Sequence, residues 1–126
     1  MLKLFFIAIG GACGALSRYG IAFFTAKFFP GNFPLGTLIV NVLGSFLITF
    51  LAKHFLYSAI DPIYRYLFIT GFLGALTTFS SFTFETLALF QQNFYFLGIL
   101  NVFLNFTLSF IAGLLGIALA NFLFLK

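Results

Sequence analysis

Polar residues recur every four positions in two stretches of an otherwise apolar sequence. One row is Thr37, Asn41, Ser45 and Thr49; the other is Asn101, Asn105 and Ser109, continued by Gly113. That spacing places each row along one face of a helix. Hydroxyls and amides on such a face either glue helices together by hydrogen bonds or line a site for a ligand. Asparagine is the more telling residue, because its NH2 offers two donors, whereas the single donor of a hydroxyl can be satisfied through the preceding turn. Between the rows lies GFLGALTTFSSFTFE, residues 71–85. Phe79 and Phe82 stand three apart and share a face, and Thr78, Ser81, Phe82 and Glu85 follow three- and four-residue spacing. Gly71 and Gly74 precede Thr77-Thr78, where a helix can break. A break frees backbone carbonyls, which at membrane depth need a partner in protein, water or a cation; oxygen ligands suit a hard cation. Arg18 either snorkels to an interface or lines an aqueous vestibule that draws in anions.

Other chemistry has nothing to stand on. The only acidic residues are Asp61 and Glu85, so a proton-coupled exporter of the small multidrug type lacks the embedded carboxylate it needs in its first span. His54 has no companions at metal-ligand spacing, and no nucleophile–base pair or phosphate loop occurs, so an enzyme is not expected. Cys13 is the single cysteine and excludes an intrachain disulfide. The basic residues form no patch, so nucleic acid is not indicated.

The elements that must hold these rows follow from composition. Of 126 residues, 63% are hydrophobic and 6% charged, which removes the chain from the soluble class and places it in a bilayer. Charges and turn formers divide it into four spans, about 4–24, 35–53, 66–90 and 96–124, in a single membrane domain covering 1–126. Pro30-Gly31-Asn32-Phe33-Pro34, Asp61-Pro62 and Gln91-Gln92-Asn93 mark the connections. The basic start and Ala12-Cys13 resemble a signal peptide or lipoprotein site, but further spans follow rather than a secreted domain. The five tyrosines fall near span ends, as an aromatic belt requires, whereas most of the 23 phenylalanines read as lipid-facing. Lys3, Lys53, Arg65 and Lys126 share one side, against Lys27 and Arg18 on the other. This slight bias puts both termini in the cytoplasm and leaves insertion in both orientations open. A chain that inserts both ways can form an antiparallel dimer, the two-chain counterpart of an inverted repeat.

Three segments, GGACGALSRYG (10–20), GTLIVNVLGSF (36–46) and GFLGALTTFSSFTFE (71–85), resemble the signature segments of the small bacterial fluoride channels, the CrcB/Fluc family. Their order, their spacing and the four-span plan extend the resemblance over essentially the whole chain. The resemblance implies an all-α integral membrane protein of four transmembrane helices, the third broken near its middle, assembled as an antiparallel dual-topology homodimer or paired with a homologous subunit. It implies a passive, fluoride-selective pore in a bacterial inner membrane. On that pore it places Asn41, the ring edges of Phe79 and Phe82, the hydroxyls of Ser81 and Ser109, and Arg18 at the vestibule. It also implies a structural sodium ion, not transported, held by the main-chain carbonyls of Gly74 and Thr77. Where relatives often carry a tyrosine on the fourth span, this chain has Asn101 and Asn105. An exporter of similar size, or a non-transporting helical subunit, is the alternative reading.

Overall fold

In hydrocarbon every backbone N–H and C=O needs an internal partner, which a helix supplies along its length. The computed structural model describes residues 1–58 and 60–125, and its regular elements there are all helical. Helix α1 runs Leu2–Phe28 and α2 runs Leu35–Tyr57. The third span, Pro62–Gln91, is composite: α3 (Pro62–Arg65), a π-helix (Tyr66–Leu73), α4 (Gly74–Leu76) and α5 (Phe79–Gln91). Helix α6, Tyr95–Phe124, closes the bundle. Each of the four spans is long and apolar enough to cross a membrane. The 23 residues of α2, the shortest, reach about 35 Å at 1.5 Å per residue.

The helices outrun the apolar stretches expected from sequence. Lys27 lies in the last turn of α1, and Lys53 and His54 lie within α2. Hydropathy locates the part of a helix that needs lipid. The backbone stays helical through the headgroup layer until a cap stops it, while the lysine stem lets its charge reach water. At α3 the stop and start are local: Asp61 Oδ1 accepts the Ile63 N–H at 2.9 Å, and Pro62 occupies the first turn, where it forfeits no hydrogen bond. Lys3 lies 5.3 Å from the Tyr66 ring centroid and Lys53 lies 5.9 Å from that of Tyr57. Ammonium groups and tyrosines therefore gather at one end of the bundle, as in an interfacial belt. Lys126, counted on that side in the charge balance, lies outside the described residues.

Two contacts fix the arrangement. Helix α1 crosses the π-helix so closely that a Cβ on Gly10 would overlap the Leu67 carbonyl oxygen, and one on Gly14 the Phe72 carbonyl. Gly10 and Gly14 thus act as the small-xxx-small pair their spacing suggests. The neighbouring pair does not: a Cβ on Gly11 meets nothing within 4 Å, because Gly11 points away from this crossing. Helix α2 packs along α6, bringing the two polar rows face to face. Val40, Leu73 and Leu76 form the buried apolar core where α2 meets the end of the π-helix.

Candidate functional site

The third span breaks where expected, and its neighbours account for the result. After the single turn α4, Thr77 (φ −75°, ψ 151°) and Thr78 (φ −152°, ψ 118°) are extended, so the helical ladder stops. Asn41 takes over both main-chain groups of Thr78: its Oδ1 accepts the Thr78 N–H at 2.8 Å, and its Nδ2 donates to the Thr78 carbonyl at 3.2 Å. Thr78 Oγ1 then caps α5 by accepting the Ser81 N–H at 3.1 Å. Among the described residues, no main-chain N–H bridging the break reaches the Gly74 or Thr77 carbonyl. These oxygens therefore have the donor character a hard cation uses.

Asn41, Phe79, Phe82 and Ser109 line one groove of about 760 Å³ on the flank of the chain, together with Ser45, Thr77, Thr78 and Asn105. The rings of Phe79 and Phe82 are 5.4 Å apart between centroids and tilted by 52°, with Phe79 78% exposed and Phe82 half-buried. Ser109 lines the groove, and its Oγ is buried without a hydrogen-bond partner. The other expected residues lie elsewhere. Gly74 is not on the groove wall. Ser81 sits between the two ring-bearing positions on another side of α5, and its hydroxyl engages Thr78 Oγ1 at 3.1 Å. Arg18 belongs to α1, which packs on α2 and the third span and does not touch α6, the far wall of the groove.

The two polar rows meet, and each does two jobs along its length. Thr49 donates to the Gly113 carbonyl at 2.9 Å and so fastens α2 to α6 at one end. Ser45 and Ser109 face the groove in the middle. Asn41 Nδ2 donates to Asn105 Oδ1 at 3.0 Å, and the fully buried Asn101 donates to Thr86 Oγ1 at 2.9 Å. At the other end Thr37 donates to Glu85 Oε1 at 2.8 Å, beside a second hollow of about 220 Å³ under the residue 29–36 connection. Thr78, Asn105 and Thr86 were not singled out as site residues from sequence. For Asn105 the four-residue period was the available signal, and for Thr86 it was its place one turn after Phe82. Thr78 carried the spacing and break signals noted above, but neither foretold that Asn41 would hold its main chain and that its Oγ1 would cap α5.

Residues 5–117 match the family model described as CrcB-like protein, Camphor Resistance (CrcB). The chain belongs to the CrcB family. A protein from Sulfurihydrogenibium sp. called fluoride-specific ion channel FluC is 45% identical over 124 residues, covering 98% of this chain and 100% of its own length. Proteins of the same name are 52% identical over 84% of the chain in Nitratiruptor sp., there covering 82% of the relative, and 42% identical over 98% of both chains in Clostridium perfringens. These names are those of ion channels, not of enzymes. As a CrcB-family chain with four long apolar helices, it is a multi-pass membrane protein.

Proposed function

We propose that this chain forms a passive, fluoride-selective channel of a bacterial inner membrane that lets fluoride leave the cytoplasm. The observation that carries the reading is the groove where polar side chains and two phenylalanine rings share one wall, in a chain whose relatives bear the name of a fluoride channel. Fluoride is small and strongly hydrated, so a pore must replace water's donors without trapping the ion. The unpartnered Ser109 hydroxyl supplies a neutral donor, and Asn41 stands on the same wall with both its N–H groups serving Thr78 and Asn105, so it meets an ion only by releasing one of them. The rim of an aromatic ring is electropositive, so the edges of Phe79 and Phe82 attract an anion weakly. Binding that is favourable yet shallow is what conduction requires, and a narrow phenylalanine-lined path disfavours larger chloride.

One chain supplies one wall of this path, and Phe79 is largely exposed on it. An antiparallel homodimer covers that face with a second copy, with a paired homologous subunit as the variant form. The Gly74 and Thr77 carbonyls fit a structural sodium ion shared by the two breaks, which would hold them together and add positive potential near the anion path. Arg18 serves at the vestibule by its fixed charge, and Ser81 supports the path through Thr78. Fluoride enters acidified cells as neutral HF and dissociates inside; a passive pore driven by the membrane potential then removes it without a coupling carboxylate. Purified protein in liposomes, followed with a fluoride electrode under a potassium diffusion potential, tests this reading. Fluoride efflux well above chloride efflux is expected; no fluoride efflux, or equal rates for both ions, refutes it.

A further inference from the structure

We propose that Asn105, Asn101 and Thr86 are positioning residues that hold the Phe79–Phe82 turn through one directional chain of hydrogen bonds. The proposal rests on the channel reading for its functional consequence and on geometry for its existence. The chain starts at the Thr78 N–H, which donates to Asn41 Oδ1 at 2.8 Å. That bond fixes the Asn41 amide, so its Nδ2 must face Asn105 Oδ1, 3.0 Å away. Asn105 Nδ2 is therefore turned toward Asn101, donating to its carbonyl at 3.1 Å and to its Oδ1 at 2.8 Å. Asn101 Nδ2 then donates to Thr86 Oγ1 at 2.9 Å, and the Thr86 hydroxyl donates to the Phe82 carbonyl at 2.7 Å.

The main-chain donor at one end leaves each amide a single orientation, since only an oxygen can accept the Thr78 N–H, and at the other end the Thr86 hydroxyl accepts from Asn101 and passes its own proton to the Phe82 carbonyl one turn back. The ends lie at Thr78, just before Phe79, and at Phe82 itself. The chain thus leaves α5 at one edge of the phenylalanine turn, passes through α2 and α6, and returns to its other edge. Simple glue between helices needs no such closure. Asn101 and Thr86 are buried, at 0% and 6% exposure, and lie off the groove, so water does not substitute for either if it is lost. Loss of one bond frees the turn that aims both rings.

Thr86 allows a clean test, because valine matches its shape without the hydroxyl and serine keeps the hydroxyl. In planar bilayers, Thr86→Val is expected to lower the unitary fluoride current about tenfold, as a site loosened at its support would, while Thr86→Ser retains most of it. A purely structural residue would reduce the amount of folded channel and leave the unitary current unchanged. A second readout needs no transport: hydrogen exchange of the Thr78 amide, followed by NMR in micelles, should quicken about tenfold in Thr86→Val and in Asn105→Leu. Wild-type exchange at Thr78 in both variants overturns the proposal, as does a wild-type unitary current in Thr86→Val. If the wild-type protein passes no fluoride, the channel reading fails, and the exchange measurement alone decides whether the hydrogen-bond chain exists.

Discussion

Gly14 and Gly11 stand three residues apart on α1 and make opposite demands on the same substitution. An alanine at position 14 drives its methyl into the Phe72 carbonyl and toward the Leu76 N–H, both main-chain groups of the turns that lead into the break. Backbone cannot swing aside as a side chain can, so the upper end of the overpacking range applies, about 3 kcal/mol. At position 11 the same methyl meets nothing within 4 Å. Both variants gain the same helix propensity, about 1 kcal/mol over glycine. Gly14→Ala should therefore lose a net ~2 kcal/mol and Gly11→Ala should gain up to ~1 kcal/mol, a gap of about 3 kcal/mol in which the propensity cancels. Equilibrium unfolding in mixed micelles, followed by circular dichroism against denaturing-detergent fraction, measures that gap directly. Because Gly14 contacts residues on both sides of Gly74, fluoride efflux should fall in Gly14→Ala and hold in Gly11→Ala. Stabilities within about 0.5 kcal/mol of each other would refute the claim that α1 crosses the third span in close backbone contact at Gly14.

Phe79→Ile and Phe82→Ile keep apolar bulk but lose the electropositive ring edge; each should cut liposome fluoride efflux sharply while yielding protein of unchanged size on gel filtration. Normal efflux from both variants would remove the ring pair from the path. Thr49→Val deletes the hydroxyl that joins α2 to the Gly113 carbonyl, and unfolding should show a loss of about 1 kcal/mol with unitary current unaltered. Replacing sodium by N-methylglucamine on both sides of the membrane should slow efflux, and readmission of sodium should restore it; indifference to sodium would argue against a cation at the Gly74 and Thr77 carbonyls.

Much of this arrangement is legible in the sequence, because lipid leaves few ways to place a polar group. The two four-residue rows suggest a shared track, and Gly71, Gly74 and the Thr77-Thr78 pair mark the break. The helix ends were less legible, since Lys27, Lys53 and His54 mark where the apolar stretch stops and not where the hydrogen-bond ladder does. The sequence also did not show that Ser81 bonds Thr78 Oγ1 and lies off the wall of this groove. The π-helix over Tyr66–Leu73, on which α1 packs, has no signature in the sequence that the spacing rules detect. Glu85, with no partner in its own span, turned out to be held by the hydroxyl of Thr37 at the start of α2.

The break in the third span also sets an order of events during biogenesis. A span that enters lipid with an extended stretch at mid-depth exposes main-chain dipoles that hydrocarbon cannot satisfy. Asn41, on the preceding helix, is already present to receive the Thr78 N–H and carbonyl as that span emerges. Asn105 and Asn101 arrive only with the last helix. The nascent chain therefore tolerates its broken span in two stages, first by a clamp from behind and then by a lock from ahead, and a ribosome that stops before α6 leaves the clamp without its lock.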